Sequence, residues 1–174
     1  MFRREILGPQ HERLRAAFSC GVEPLDRYLQ QQAGQDARKY VAAPYVLLSE
    51  DGRIAGFYTL SADNIRSDDL SPDLIKKLKL PRYNAFPARL IGRLARDQSF
   101  KAQGLGRVLL ADALQVALET SKTIASLAVL VDAKDEKARR FYSSFGFLSF
   151  PETANRLFIP MKTVQESVRQ FQAP

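Results

Sequence analysis

A mixed α/β domain built around one sheet is the fold class this sequence predicts, and three observations predict it. Apolar residues change period along the 174-residue chain, from helical spacing to strand-like runs and back. One run, IASLAVLVDA at 124–133, is almost uninterrupted, as in a strand buried on both faces. Pro44, Asp51-Gly52, Pro81 and Gly146 punctuate these runs. With 45% apolar residues the chain can fill a core, and its length suits one domain over 1–174, with 162–174 as a C-terminal tail.

The elements follow in order. The first twenty residues are charged throughout and lack an apolar h-region, so they read as part of the fold and not as a signal peptide. Residues 23–40 space Leu25, Tyr28, Leu29 and Ala33 helically in a mostly polar stretch, which predicts a surface helix that Pro44 stops. Residues 45–49 and 54–62 are rich in β-branched and aromatic side chains and flank Asp51-Gly52, which predicts a hairpin. Ser71-Pro72-Asp73 opens a short helix that Pro81 ends. A loop through Pro87 leads to a strand over 88–97.

Gly104-Leu105-Gly106 then opens a helix over 104–120, with Leu109, Leu110, Ala113, Leu114, Ala117 and Leu118 on one face. After the buried strand comes a helix over 135–147, closed by a left-handed cap at Gly146. A last strand is expected over 156–161. A helical tail follows from Lys162, with Val164, Val168 and Phe171 as its contacts.

Composition excludes several classes. The single cysteine, Cys20, rules out an internal disulfide and fits a reducing, cytoplasmic setting. Without a paired histidine it reads as a small buried apolar residue and not a nucleophile. No apolar run reaches about 18 residues, which argues against a membrane span. No residue cluster has metal-ligand spacing, so no metal is expected. The only histidine, His11, reads as a surface residue.

The net charge of +7 is unevenly spread. Between residues 74 and 96 lie Lys76, Lys77, Lys79, Arg82, Arg89, Arg93 and Arg96, with no acidic residue among them and with Tyr83 and Phe86 interleaved. Cations with aromatics suit a phosphate backbone with unstacked bases nearby, although a solvated face reads the same way in sequence. The glycine turn offers a second anion site. A helix N-terminus presents unpaired N–H donors and a positive dipole end, and glycine lets a pyrophosphate approach the backbone. No Lys-Ser/Thr pair follows it, so it is not a Walker loop, and Leu109 breaks a GxGxxG pattern.

Taken together, the RLARD strand, the glycine turn, the apolar helix, the buried strand and Ala138-Arg139-Arg140-Phe141-Tyr142-Ser143-Ser144-Phe145-Gly146-Phe147 resemble the GNAT superfamily of N-acetyltransferases. The resemblance implies a central mixed, mostly antiparallel twisted sheet flanked by helices, with splayed strands that bind acetyl-CoA. By it, Leu94, Ala95 and Arg96 flank the cofactor arm, and Gln103, Gly104, Leu105, Gly106, Arg107 and Val108 cradle its phosphates. Tyr142 is the general acid that protonates the leaving thiolate. The chain departs from the superfamily's turn pattern at Lys101 and Ala102. The chemistry supports Tyr142 on its own terms, because a phenol with a pKa near about 10 holds its proton at neutral pH and can donate it. Phe141 and Phe145 read as core aromatics.

The strand over 89–96 contains no Glu, Asp or His to act as a base, and Asp97 at its end reads as a turn anchor. A lysine acceptor, with a pKa near about 10.4, needs such a base; an α-amine near about 7.7–8.0 is partly neutral already. The basic run repels polyamine substrates and attracts a tRNA acceptor stem. At period two, Arg89 and Arg93 share one side of their strand, where they would clamp terminal phosphates, and Arg96 points to the other.

A narrower resemblance joins these points. Phe18, Cys20, Gly21, Leu25, Tyr28 and Leu29, then Ala55-Gly56-Phe57-Tyr58-Thr59-Leu60-Ser61, then Ile91-Gly92-Arg93-Leu94-Ala95-Arg96-Asp97 are similar to segments of the GNAT toxins of bacterial type II toxin–antitoxin pairs. That resemblance implies acetylation of the α-amine of aminoacyl-tRNA, a block of translation, a homodimer and neutralisation by a ribbon-helix-helix antitoxin. Lys76, Lys77, Lys79, Arg82, Arg89 and Arg93 are then the candidate tRNA contacts. Two alternatives stay open: acetylation of a protein N-terminus or small amine, and a non-catalytic nucleic-acid-binding relative.

Overall fold

The structure is a computed structural model that describes residues 1–172, with side chains through Arg169. Its strands are β1 (Arg3–Ile6), β2 (Ala43–Leu48), β3 (Ile54–Arg66), β4 (Ala85–Arg96), β5 (Ala128–Asp132), β6 (Leu148–Ser149) and β7 (Arg156–Pro160). Its α-helices are α1 (Glu12–Ala16), α2 (Glu23–Arg27), α3 (Ala33–Arg38), α4 (Pro72–Lys77), α5 (Leu105–Thr120), α6 (Glu136–Ser143) and α7 (Met161–Gln172). The strands form one mixed, mostly antiparallel sheet in the order β1-β2-β3-β4-β5-β7-β6. The chain divides into two compact units, Met1–Ser61 with Ile91–Ala113, and Ala62–Leu90 with Leu114 onward. β3, β4 and α5 pass from one to the other.

In the first unit, β2 and β3 form the predicted hairpin. Leu48 faces Ile54 across the turn, and Gly52 takes the positive φ (+78°) the turn requires. β1 adds antiparallel to β2, from Arg3 opposite Leu48 to Ile6 opposite Tyr45, a strand that four residues with three charges do not announce. The predicted helix over 23–40 is broken into α2, a π-helical turn at Tyr28–Gln32, and α3. Tyr28, Leu29 and Ala33 are core residues with Phe18, Val46, Phe57 and Ala95. α5 lies close against β3: a Cβ on Gly56 would come within 2.7 Å of Leu109 Cδ1 and 3.0 Å of the Ala95 carbonyl oxygen.

In the second unit, β5 pairs antiparallel with β7, from Ala128 opposite Pro160 to Asp132 opposite Arg156. Ala128, Val129, Leu130 and Val131 are fully buried, as the run predicts. The strand begins later than the run, however, and Ile124 is 63% exposed. Residues 121–124 are still a turn, in which the Ile124 N–H donates to the Thr120 carbonyl, and pairing starts where β7 supplies a partner. Asp135 caps α6, its side chain accepting from the Ala138 N–H at 2.8 Å, and Gly146 takes the expected positive φ (+92°). Ile65, Leu70, Phe86, Ala88, Leu130, Phe150 and Phe158 form this unit's core. In α7, Val164 is buried and Val168 half-buried; the side chain of Phe171 lies outside the described residues.

Candidate functional site

In the first unit, β4 leads through a short 3-10 turn, Gln98–Phe100, to the glycine turn. Asp97 anchors this passage as expected. Its carboxylate accepts from the N–H groups of Ser19 and Ser99, both at 2.9 Å, and from the Ser99 hydroxyl at 2.6 Å. Burial alone would raise its pKa, but these hydrogen bonds outweigh it and hold the carboxyl below its ordinary value.

Gly104 has φ +69°, and a Cβ built there meets nothing within 4 Å, so the backbone is open on that side. Arg107 and Val108 already donate to the Gly104 carbonyl, at 3.0 and 3.4 Å. The N–H groups of Leu105 and Gly106, in the helix's first turn, have no intrahelical partner. This suits a pyrophosphate held by backbone donors. Leu105 has only its N–H to offer a ligand, since its side chain is fully buried, whereas Gln103, Arg107 and Val108 are exposed. Ala102 also takes a positive φ (+66°), a conformation glycine adopts without strain. Ala95 is buried, and Leu94 and Arg96 are half-buried.

In the second unit, Tyr142 sits on α6 with its ring half-buried, 5.4 Å from Phe141 and 5.5 Å from Phe147. Its hydroxyl makes no hydrogen bond among the described residues. Desolvation pushes its pKa up to about 12, so the phenol stays protonated far above neutrality. Phe147 is the aromatic fully in the core; Phe141 and Phe145 are only half-buried, against expectation.

The basic run is divided by the fold. Lys76, Lys77, Lys79 and Arg82 are exposed and form no ion pair among the described residues. Beneath them, Leu74, Ile75 and Leu80 pack on the second unit's core. α4 is capped at both ends, by the Ser71 hydroxyl accepting from Leu74 N–H at 3.2 Å and by Lys79 in the left-handed region (φ +52°). The Lys79 and Leu80 N–H groups donate back to the Lys76 and Ile75 carbonyls, both at 3.1 Å, a Schellman cap that ends the helix. Tyr83 is 64% exposed, whereas Phe86 is buried, so one of the two interleaved aromatics is available to a base.

Buried positions along β4 change parity between Ala88 and Ile91, so the period that groups Arg89 with Arg93 does not hold across that point. Arg89 donates to the Ile124 carbonyl at 3.1 Å. The Arg93 guanidinium carbon lies 3.6 Å from the centre of the Tyr28 ring, a partner that sequence spacing does not reveal.

Two other expectations change or sharpen. His11 is buried, not exposed: its Nδ1 accepts from the Gly8 N–H and its Nε2 meets Glu5 Oε2, each at 3.0 Å. Cys20 is half-buried, and desolvation raises its pKa to about 11, which disfavours the thiolate a nucleophile needs. No His/Cys/Asp/Glu cluster among the described residues has a metal-binding arrangement.

The family model described as "Acetyltransferase (GNAT) family" matches residues 10–147. A tRNA-acetylating toxin of Mycobacterium tuberculosis (strain ATCC 25618 / H37Rv) is 32% identical over 146 residues, 84% of this chain and 85% of that protein. AtaT solved in complex with acetyl-methionyl-tRNAfMet is similar with a TM-score of 0.86 at 30% identity, over 97% of this chain and 99% of that one. A tyrosine-to-phenylalanine mutant of the AtaT toxin, bound to the C-terminus of the antitoxin AtaR and to acetyl-CoA, is similar with a TM-score of 0.79 at 28% identity, over 98% and 99% of the two chains.

Proposed function

The chain belongs to the acetyltransferase (GNAT) family, and from that premise we propose that it is a toxin that acetylates the α-amine of aminoacyl-tRNA from acetyl-CoA. The observation that carries the acceptor is the exposed set Lys76, Lys77, Lys79 and Arg82, none of them in an ion pair among the described residues, with the three lysines on or just past a capped helix. Such a surface draws in RNA and repels a cationic small amine. The relative solved with acetyl-methionyl-tRNAfMet supports the same acceptor.

Acetyl-CoA supplies an acyl group activated as a thioester. The backbone N–H groups of residues 103–106 hold its pyrophosphate, with the exposed Gln103 and Arg107 side chains beside them, and the open approach at Gly104 favours this. The edge of β4 at Leu94, Ala95 and Arg96 lies along its arm. The acceptor α-amine, partly neutral at pH 7, attacks the acyl carbon without a dedicated base and sheds its proton to solvent. As the C–S bond breaks, Tyr142 gives its phenolic proton to the departing sulfur. The half-buried phenol has no hydrogen-bond partner among the described residues to compete for its proton, and its raised pKa keeps that proton in place until the sulfur's negative charge develops beside it.

The same reading makes the chain a single acetyltransferase domain over 1–174 that works as a cytoplasmic homodimer and is restrained by a ribbon-helix-helix antitoxin. The relative bound to AtaR supports the antitoxin. No helix among the described residues is long and apolar enough to cross a membrane.

The test is transfer of label from radiolabelled acetyl-CoA to a charged-tRNA pool, with deacylated tRNA and Tyr142→Phe as controls. Label confined to charged tRNA and reduced at least about 100-fold in the variant is expected, the scale of general-acid catalysis. No label on tRNA while acetyl-CoA still binds would transfer the reading to a protein N-terminus or small amine. Failure to bind acetyl-CoA would favour a non-catalytic nucleic-acid binder.

A further inference from the structure

The Arg93 guanidinium carbon lies at contact distance from the Tyr28 ring centre, 3.6 Å, which a planar guanidinium reaches only face to face. The Arg93 N–H donates to the Thr59 hydroxyl oxygen at 3.1 Å, which fixes where the side chain leaves β4. The guanidinium donors themselves pair with no carboxylate among the described residues. Tyr28 beneath is rigid. It is 5% exposed, its ring lies 6.2 Å from that of Phe57 at 20°, and its hydroxyl donates to Asp36 at 2.9 Å.

The π-helical turn at Tyr28–Gln32 shapes what surrounds this stack. Gln31 and the Glu23–Arg27 ion pair line a cavity of about 420 Å³ together with Tyr28 and Arg93. Glu23 and Arg27 offset each other, so the cavity is close to neutral apart from Arg93. The Gln31 carboxamide sets a donor beside an acceptor, the pattern that reads a base edge. Tyr28 covers one face of the guanidinium plane, and Arg93 lines the cavity, which offers room for a second planar ring. A neutral, aromatic, hydrogen-bonding ligand fits these features better than a phosphate does.

We propose that the Tyr28–Arg93 stack is a platform for the 3′-terminal base of the acylated RNA, with Gln31 at its edge. This rests on the aminoacyl-tRNA reading: the ester is carried by the terminal ribose, so holding the terminal base positions the amine. Arg93 is thus a stacking and positioning residue and not a phosphate clamp.

The test uses charged tRNA whose terminal base is 2-aminopurine, a fluorescent base quenched by stacking, titrated with the full chain while labelled acetyl transfer to the same RNA is followed. Quenching is expected with the native chain. Arg93→Lys keeps the charge but loses the plane; it should abolish the quench and lower kcat/KM about 5- to 150-fold, the range of one base stack. Gln31→Ala, a change at the cavity rim, should weaken the quench without lowering Tm. An unquenched native complex, or an Arg93→Lys chain that quenches and reacts like the native one, would overturn the platform. Transfer without quenching removes the platform and leaves the acceptor reading standing; quenching without transfer does the reverse.

Discussion

Gly104→Ala separates what the glycine turn does for folding from what it does for an anion. At φ +69° an alanine pays for the left-handed conformation, about 1–2 kcal/mol, and part of this is offset because alanine makes the unfolded chain less flexible. No steric term is added, since the new Cβ meets nothing within 4 Å. The net loss is about 1 kcal/mol, which lowers Tm by about 2–4 °C in a domain of this size. Ala102→Gly, at φ +66°, removes the same kind of penalty and should raise Tm by a similar amount. Binding should move separately. The Gly104→Ala methyl enters the space proposed for the pyrophosphate and breaks about one charge-assisted hydrogen bond, so acetyl-CoA affinity should fall about 10- to 150-fold. Calorimetric titration with acetyl-CoA at 25 °C, beside thermal melts of both variants, reads the two effects independently. A Gly104→Ala chain that melts lower but binds acetyl-CoA normally would refute the anion cradle. An Ala102→Gly chain with unchanged Tm would refute the backbone argument.

Three further outcomes are expected. Gly56→Ala should cost about 1–3 kcal/mol in urea unfolding, because its Cβ would press on Leu109 and on the unyielding Ala95 carbonyl. Stability should hold up to about pH 10 and then fall toward pH 12. Tyr28 and Tyr142 titrate near 12 in the folded chain, so above the ordinary phenol value the unfolded chain loses protons first; urea melts across that range would show it. Replacing Lys76, Lys77 and Lys79 together by Gln should weaken RNA binding at low salt and flatten its salt dependence by about 0.7–0.9 per lost phosphate contact; an unchanged slope would remove these lysines from the interface.

Local chemistry was legible in the sequence wherever a short stretch decides its own conformation. The hairpin turn at Asp51-Gly52, the Ser71 opening of α4, the buried face of α5 and the Gly146 cap all depend on neighbours within one turn or one strand pair. The seven cations were legible too, because charge needs no partner to be counted. Pairing over distance was not. Residues 124–133 read as one strand because apolarity is continuous, but the strand begins only where β7 offers hydrogen bonds. His11 reads as surface because imidazole is polar, yet Gly8 and Glu5 satisfy both nitrogens and allow burial.

The sequence by itself therefore determined the kinds of element and singled out Tyr142 and the Gly104 turn as the proposed proton donor and anion site, since these readings rest on residue types and motifs within a few positions. Only the tertiary structure decided that the 23–40 helix takes a π turn and sets Tyr28 under Arg93, some sixty positions away in the chain. It also decided that Lys76, Lys77 and Lys79 face outward while Arg89 and Arg93 meet different neighbours. The physical reason is the same in each case. A side chain's surroundings are set by whichever element packs against it, and that choice minimises buried unpaired polar groups over the whole core, which no local period encodes.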